Sequence, residues 1–229
     1  MDKESLNDSD DSSEINPTQI DESLIPAPTR KQNSTTDVTF DGLLSPPLRV
    51  RENLKNGCGG QIWEAGVVLA KYLLRYHRDD LKDKNMFVQF QADGVGASSS
   101  LAVEEGLWDQ KVMLSLMRGN VELNQLQSKV KAEILDWGSP ISESIPTADV
   151  ILAADCVYFE PAFPLLLETL HALLVPGTVC YFCFRRRRRA DMKFIKALRK
   201  AFLVKEIEED IDKENYSRQN IHLYAVSKK

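Results

Sequence analysis

Residues 150–158 read Val-Ile-Leu-Ala-Ala-Asp-Cys-Val-Tyr, and this run constrains the fold more than any other stretch of the chain. Apolar at every position on both sides of Asp155, it suits a strand covered on both faces, and such strands belong to parallel sheets flanked by helices. The rest of the chain alternates to match. Met86 to Phe90 and Val179 to Phe184 are strand-like, while Ile62 to Leu73, Val112 to Val121, Pro161 to Leu174 and Met192 to Phe202 space apolar residues three and four apart, as helices do. Pro161 stands at a helix start and Pro176-Gly177 at its end. Val130 to Trp137 is expected to be a further strand, Val204 to Ile207 with Ile221 to Val226 a closing pair, and Val38 and Phe40 with Leu48 and Val50 a short hairpin around the turn Gly42 to Pro47. This alternation predicts an α/β fold with a mostly parallel sheet and right-handed crossovers.

At 229 residues, 43% of them hydrophobic, the chain can bury one sizeable core and leaves little room for a second. Residues 1–36 differ: rich in Ser, Asp, Asn, Thr and Pro, they cannot repay the entropy of ordering and are expected to form a disordered acidic tail ahead of a domain spanning 37–229. Eight acids (Asp2, Glu4, Asp8, Asp10, Asp11, Glu14, Asp21, Glu22) face only Lys3 before Pro28, which leaves the body near neutral within a formal charge of -5. No basic face for direct nucleic-acid binding is expected, and no apolar stretch approaches the roughly 20 residues of a membrane crossing. Cys58, Cys156, Cys180 and Cys183 are too few and irregular for a disulfide framework, so a reducing, intracellular compartment is expected. The chain is expected to act in the cytoplasm as a monomer. The Cys180/Cys183 pair lies in a strand-like run with no second ligand pair, which favours buried small hydrophobes over metal ligands.

Ligands of open α/β sheets bind beyond the carboxyl ends of the strands, so residues just after strands carry the chemistry. Ala92-Asp93-Gly94-Val95-Gly96 follows the first strand, where glycines let backbone amides approach a cofactor; a plain turn reads equally from the same residues. Asp109 precedes a helix and suits either a ribose diol or an N-terminal cap. Trp137, in Asp-Trp-Gly, suits either a nucleobase or the core. Asp155 leaves the most buried strand, where an acid must be paired or serve a ligand, and Tyr158 three residues on could reach the same pocket.

Three segments together carry a resemblance: Gly-Cys-Gly-Gly-Gln-Ile-Trp-Glu-Ala-Gly at 57–66, Leu-Asp-Trp-Gly at 135–138, and Leu-Ala-Ala-Asp-Cys-Val-Tyr-Phe-Glu-Pro-Ala-Phe-Pro-Leu-Leu at 152–166. They resemble the seven-β-strand protein-lysine methyltransferases of the methyltransferase-like 21 type, and most of all the fungal branch that modifies translation elongation factor 1-alpha, the elongation factor methyltransferase 6 type. The resemblance covers roughly 37–229. It implies a Rossmann-like class I methyltransferase with a seven-stranded, mostly parallel sheet and helices on both faces. It also implies S-adenosylmethionine as cofactor and a protein as substrate. Trp63, Asp109, Trp137 and Ala154 then match contacts to S-adenosylmethionine, joined by Asp93, Gly94 and Gly96 of the glycine segment. Asp155 and Tyr158 match the Asp-x-x-Tyr motif at the substrate lysine.

The first strand departs from that pattern, with Gln89-Phe90-Gln91-Ala92-Asp93-Gly94-Val95-Gly96 where the family carries an acidic residue and three glycines. This departure keeps open a competing class, a non-catalytic binding module on the same fold. The five arginines from Arg185 to Arg189 follow a strand and read as a solvated run, a nucleic-acid patch, or a rim that docks an acidic protein surface near the target lysine; the basic rim of the methyltransferase relatives favours docking.

Overall fold

A computed structural model describes residues 34–53, 62–90, 110–143 and 145–229. The described strands are β1 (Ser34–Val38), β2 (Leu48–Glu52), β3 (Met86–Phe90), β4 (Val150–Ala154), β5 (Val179–Arg185), β6 (Leu203–Glu206) and β7 (Ile221–Ser227). The helices are α1 (Glu64–Tyr76), α2 (Gln110–Leu123), α3 (Phe163–Leu173), α4 (Arg189–Ala201) and α5 (Lys213–Arg218). Strand β1 begins at Ser34, ahead of the Asp37 boundary expected for the domain.

Five strands form one sheet in the order β3-β4-β5-β7-β6. The expected Rossmann-like class is what the chain forms, but its seven described strands divide into this sheet and a separate hairpin of β1 and β2. Neighbours β3, β4 and β5 run parallel, whereas β7 pairs antiparallel with both β5 and β6. Val130 to Trp137 does not form the expected strand, because an alternating run is held as a strand only by a ladder partner and none of the described strands pairs with it. Val130 and Ile134 accordingly stay 44% and 37% exposed, while Leu135 and Trp137 turn inward. Helix α5, a single short turn-rich segment, was not legible in the apolar periodicity.

The helices cover both faces of the sheet. On one, Ala65, Val68 and Leu69 of α1 pack with Ala154, Cys183, Leu223 and Tyr216 of α5. On the other, Leu166 and Leu170 of α3 and Phe194 and Leu198 of α4 pack over Ile151 and Phe182. Side chains as deeply buried as Leu198 each contribute about 2–5 kcal/mol against truncation to alanine. Cys156, Cys180 and Cys183 are buried and form no disulfide, and burial pushes the Cys180 thiol well above its ordinary value, as expected of small core hydrophobes. Cys58 lies outside the described residues.

The hairpin is fastened to α2 by two asparagines one helical turn apart. Asn120 Oδ1 accepts the Arg51 N–H at 2.8 Å and its Nδ2 donates to the Arg51 carbonyl at 3.1 Å. Asn124 does the same for Arg49, at 2.8 and 2.7 Å. A four-residue helical step rises about 6.0 Å and a two-residue strand step about 6.6 Å, so two side chains on one helix face can stand in for a neighbouring strand along β2.

Candidate active site

Strand β4 ends at Ala154, and the chain turns sharply because Asp155 adopts φ 53°, a left-handed conformation that aspartate tolerates better than most residues. The Asp155 N–H still donates to the Cys183 carbonyl at 2.8 Å, so the ladder to β5 continues one residue past the strand while the side chain is re-aimed. The carboxylate is 2% exposed as a residue and is held by three donors. Oδ1 accepts the Arg185 N–H at 3.0 Å and Arg187 Nη1 at 3.2 Å; Oδ2 accepts Arg187 Nη2 at 3.0 Å. This two-pronged arrangement is the strong form of an arginine–carboxylate pair. The same guanidinium lies over the Trp63 ring, 5.2 Å from its centroid.

Beside this cluster is an apolar cleft of about 550 Å³, including its open mouth. Val38, Phe40, Leu48 and Val50 of the hairpin form one wall, Ile62, Trp63, Gly66, Val67 and Ala70 at the start of α1 another, and Ala154 and Asp155 the strand tip. Asp155 is the sole charged residue of the lining among the described residues. The Trp63 Nε1 is buried and has no hydrogen-bond partner among the described residues, a donor that costs free energy until a ligand accepts from it.

The residues singled out from sequence therefore fall in three places. Trp63, Ala154 and Asp155 meet at the cleft. Trp137 and Tyr158 do not line it: Trp137 is buried within the core beneath α3 and α4, and Tyr158 is partly buried against the same core, its carbonyl accepting from Arg188. The turn after Trp137 needs Gly138, which has φ +79° and whose missing side chain would meet Leu165 of α3 at 2.7 Å. Asp93, Gly94, Gly96 and Asp109 lie outside the described residues, as does the glycine segment at 57–60.

Arg187 was the residue that sequence reading missed. It belongs to the run read as a rim, yet it pairs inward with Asp155, and Arg188 pairs with Asp191 at 3.1 Å. Asp191 Oδ2 also accepts the N–H groups of both Arg187 and Arg188 at 2.8 Å, reaching back as the acid of a helix-capping arrangement and so fixing the loop that presents Arg187. The signal was available in part: a buried acid at the tip of one strand needs a counter-cation, and an arginine run leaves the tip of another strand read as part of the same mostly parallel sheet.

Comparison with known proteins fits this geometry. The lysine methyltransferase family pattern matches residues 43–201. The protein-lysine N-methyltransferase EFM6 of Saccharomyces cerevisiae is 32% identical over 238 aligned residues, covering 90% of this chain and 96% of that protein. The protein N-lysine methyltransferase METTL21A of Danio rerio is 32% identical, covering 91% and 94%. Among solved structures, the 16S rRNA N2 G1207 methyltransferase RsmC of T. thermophilus, in complex with AdoMet and guanosine, superposes with a TM-score of 0.50 at 11% identity. That match covers 86% of this chain and half of the RsmC chain, and it shows a shared fold.

Proposed function

The chain belongs to the lysine methyltransferase family, and from that premise we propose that it transfers a methyl group from S-adenosylmethionine to a lysine of translation elongation factor 1-alpha, as a cytoplasmic monomer. Family membership supports an enzyme over the non-catalytic module. The resemblance of residues 152–166 to the elongation factor branch supports the substrate, and among the described residues no helix is long and apolar enough to cross a membrane. The observation that carries the reading is the cleft: greasy walls with one carboxylate at the strand tip suit an aliphatic stem that ends in an amine.

Trp63 and Ala154 would hold the cofactor, and an acceptor atom placed on the orphaned Trp63 Nε1 would remove its unsatisfied donor. When bound, S-adenosylmethionine supplies a methyl group on a cationic sulfur. The protein must supply an uncharged amine, since a lysine with ordinary pKa near 10.4 costs on the order of 4–5 kcal/mol to deprotonate at pH 7. Apolar walls disfavour the ammonium form, and Asp155 accepts an N–H and orients the lone pair, with Tyr158 shaping the approach from outside the lining. Incubating the purified chain with methyl-labelled S-adenosylmethionine and elongation factor 1-alpha should label one lysine, and Asp155→Ala should abolish the label. A correctly folded Asp155→Ala protein that labels as fast as the wild type would falsify the role given to Asp155.

A further inference from the structure

A carboxylate at the end of an apolar cleft poses a problem for amine methylation. Alone, it would stabilise the ammonium ion by on the order of 1–3 pKa units and hold the lysine in the form that cannot react. Asp155 is not alone. Arg187 meets it with both terminal guanidinium nitrogens, Nη1 and Nη2, at 3.2 and 3.0 Å, while resting on the Trp63 face. We infer that Arg187 is a positioning residue which neutralises Asp155, so that the cleft offers a hydrogen-bond acceptor to an uncharged amine instead of a trap for an ammonium ion. This inference rests on the proposed lysine methylation and assigns the charge logic of that same site.

The hydrogen-bond inventory supports it. A carboxylate has about four acceptor positions. Oδ1 of Asp155 takes two donors and Oδ2 takes one among the described residues, so one position on Oδ2 remains. That suffices for a single amine N–H, whereas an ammonium seeking several acceptors finds one acceptor and a guanidinium that repels it. The amine arrives after losing its one proton to bulk water. With the cofactor bound, its lone pair would form the N–C bond as the C–S pair stays on sulfur, and the methylated nitrogen would leave as the ammonium ion.

Other charges near the cleft are already engaged or lie off its lining. Glu52 accepts from the Ile62 N–H and from Ser34 Oγ, and Lys71 is paired with Asp41 and Asp212. Glu64 sits exposed in the first turn of α1, and the Cys183 thiol is pushed up, by burial first and then by the Asp155 charge, so it stays neutral. Among the described residues, the balance at the strand tip is therefore set by Asp155 and Arg187.

The test needs no turnover. Calorimetric titration of the full chain with n-butylamine, a mimic of the lysine side chain, should give wild-type affinity that rises about tenfold per pH unit between pH 7 and 9, because only the neutral form binds. Arg187→Gln should bind at least tenfold tighter at pH 7 and show a flat profile, because it now binds the cation. Arg187→Lys, which keeps the charge and covers the case in which the glutamine variant fails to fold, should keep the rising profile. A rising profile in Arg187→Gln, or a flat one in folded Arg187→Lys, overturns the inference. A wild-type chain with the rising profile but no label on elongation factor 1-alpha sinks the substrate reading and leaves this one standing. Labelling with a flat wild-type profile does the reverse.

Discussion

Asp155 and Asp191 make an instructive pair. Both are buried acids, 2% and 0% exposed, and both take a guanidinium from the same arginine run, Arg187 for one and Arg188 for the other. Asp155 also accepts one backbone N–H group and Asp191 two. They differ in what lies beside them. Asp191 sits in the first turn of α4 with its contacts all within four residues, so its partners complete a helix start. Asp155 sits at a strand tip in a left-handed turn, joined to residues 30 and 32 positions away, and it lines an apolar cleft. A buried acid paired with arginine is thus a structural device by default and becomes a chemical one only where open apolar volume adjoins it.

The comparison breaks if the two acids respond alike to substitution. Asp191→Ala should cost about 1–3 kcal/mol in urea unfolding, because it removes the buried acceptor of two backbone N–H groups, while the Arg188 side chain, 40% exposed, turns to water. Its specific activity, measured at a temperature where it remains folded, should fall by less than about tenfold, because Asp191 reaches the site only through the loop that carries Arg187. Asp155→Asn keeps a residue that accepts the left-handed turn, so it should unfold with a smaller loss, yet lower methyl transfer by about 100-fold through misplacement of the amine. Equal stability losses with equal activity losses would show that both acids are structural.

A second contrast separates the strand-tip wall of the cleft from its hairpin wall. The hairpin is held to α2 by Asn120 and Asn124, and Asn120 is buried. Asn120→Ala should leave the Arg51 backbone groups unsatisfied and lower stability by about 1–3 kcal/mol. The Michaelis constant for the protein acceptor should rise more than the turnover number falls, because the wall formed by Leu48 and Val50 loosens while the strand tip is untouched. A fall in turnover alone would place the reacting amine under the hairpin instead.

Much of this was readable beforehand, for physical reasons that differ by element. The β4 run and the α1 spacing were legible because burial on two faces or on one imposes a pattern of apolar residues that nothing else produces. The hairpin was legible through its turn residues. Asp155 was reachable because it leaves the tip of the most buried strand, whereas Trp63 and Ala154 came only from the family resemblance. Val130 to Trp137 misled, since alternation states which side of a chain is apolar and not whether a neighbour is present to pair with it. Asn120 and Asn124 pair with β2 across 69 and 75 residues, and Arg187 with Asp155 across 32. Such polar pairings leave no periodic trace and appear only once the chain is folded.

The smallest effect concerns a third acid, Asp212, which is more exposed than either buried one and lies beside α1 instead of the cleft. Its carboxylate meets Arg75 at 2.7 Å and Lys71 at 3.1 Å, and the Arg75 hydrogen bond, against some opposition from burial, holds its pKa below the ordinary 3.8. The folded state therefore releases this proton more readily than the unfolded chain. The stabilisation is complete above pH 3.8 and is lost as the pH falls through the lower folded value. Asp212→Asn should remove that part of the acid limb, at most about 1 kcal/mol and less in high salt, when midpoints of urea unfolding are compared at pH 3 and pH 6. Because neither Arg187 nor the cleft takes part, methyl transfer by this variant at pH 8 should match the wild type; a variant that lost both would place Asp212 in the same electrostatic unit as Asp155 and dissolve the distinction between acids that hold the fold and the one that serves it.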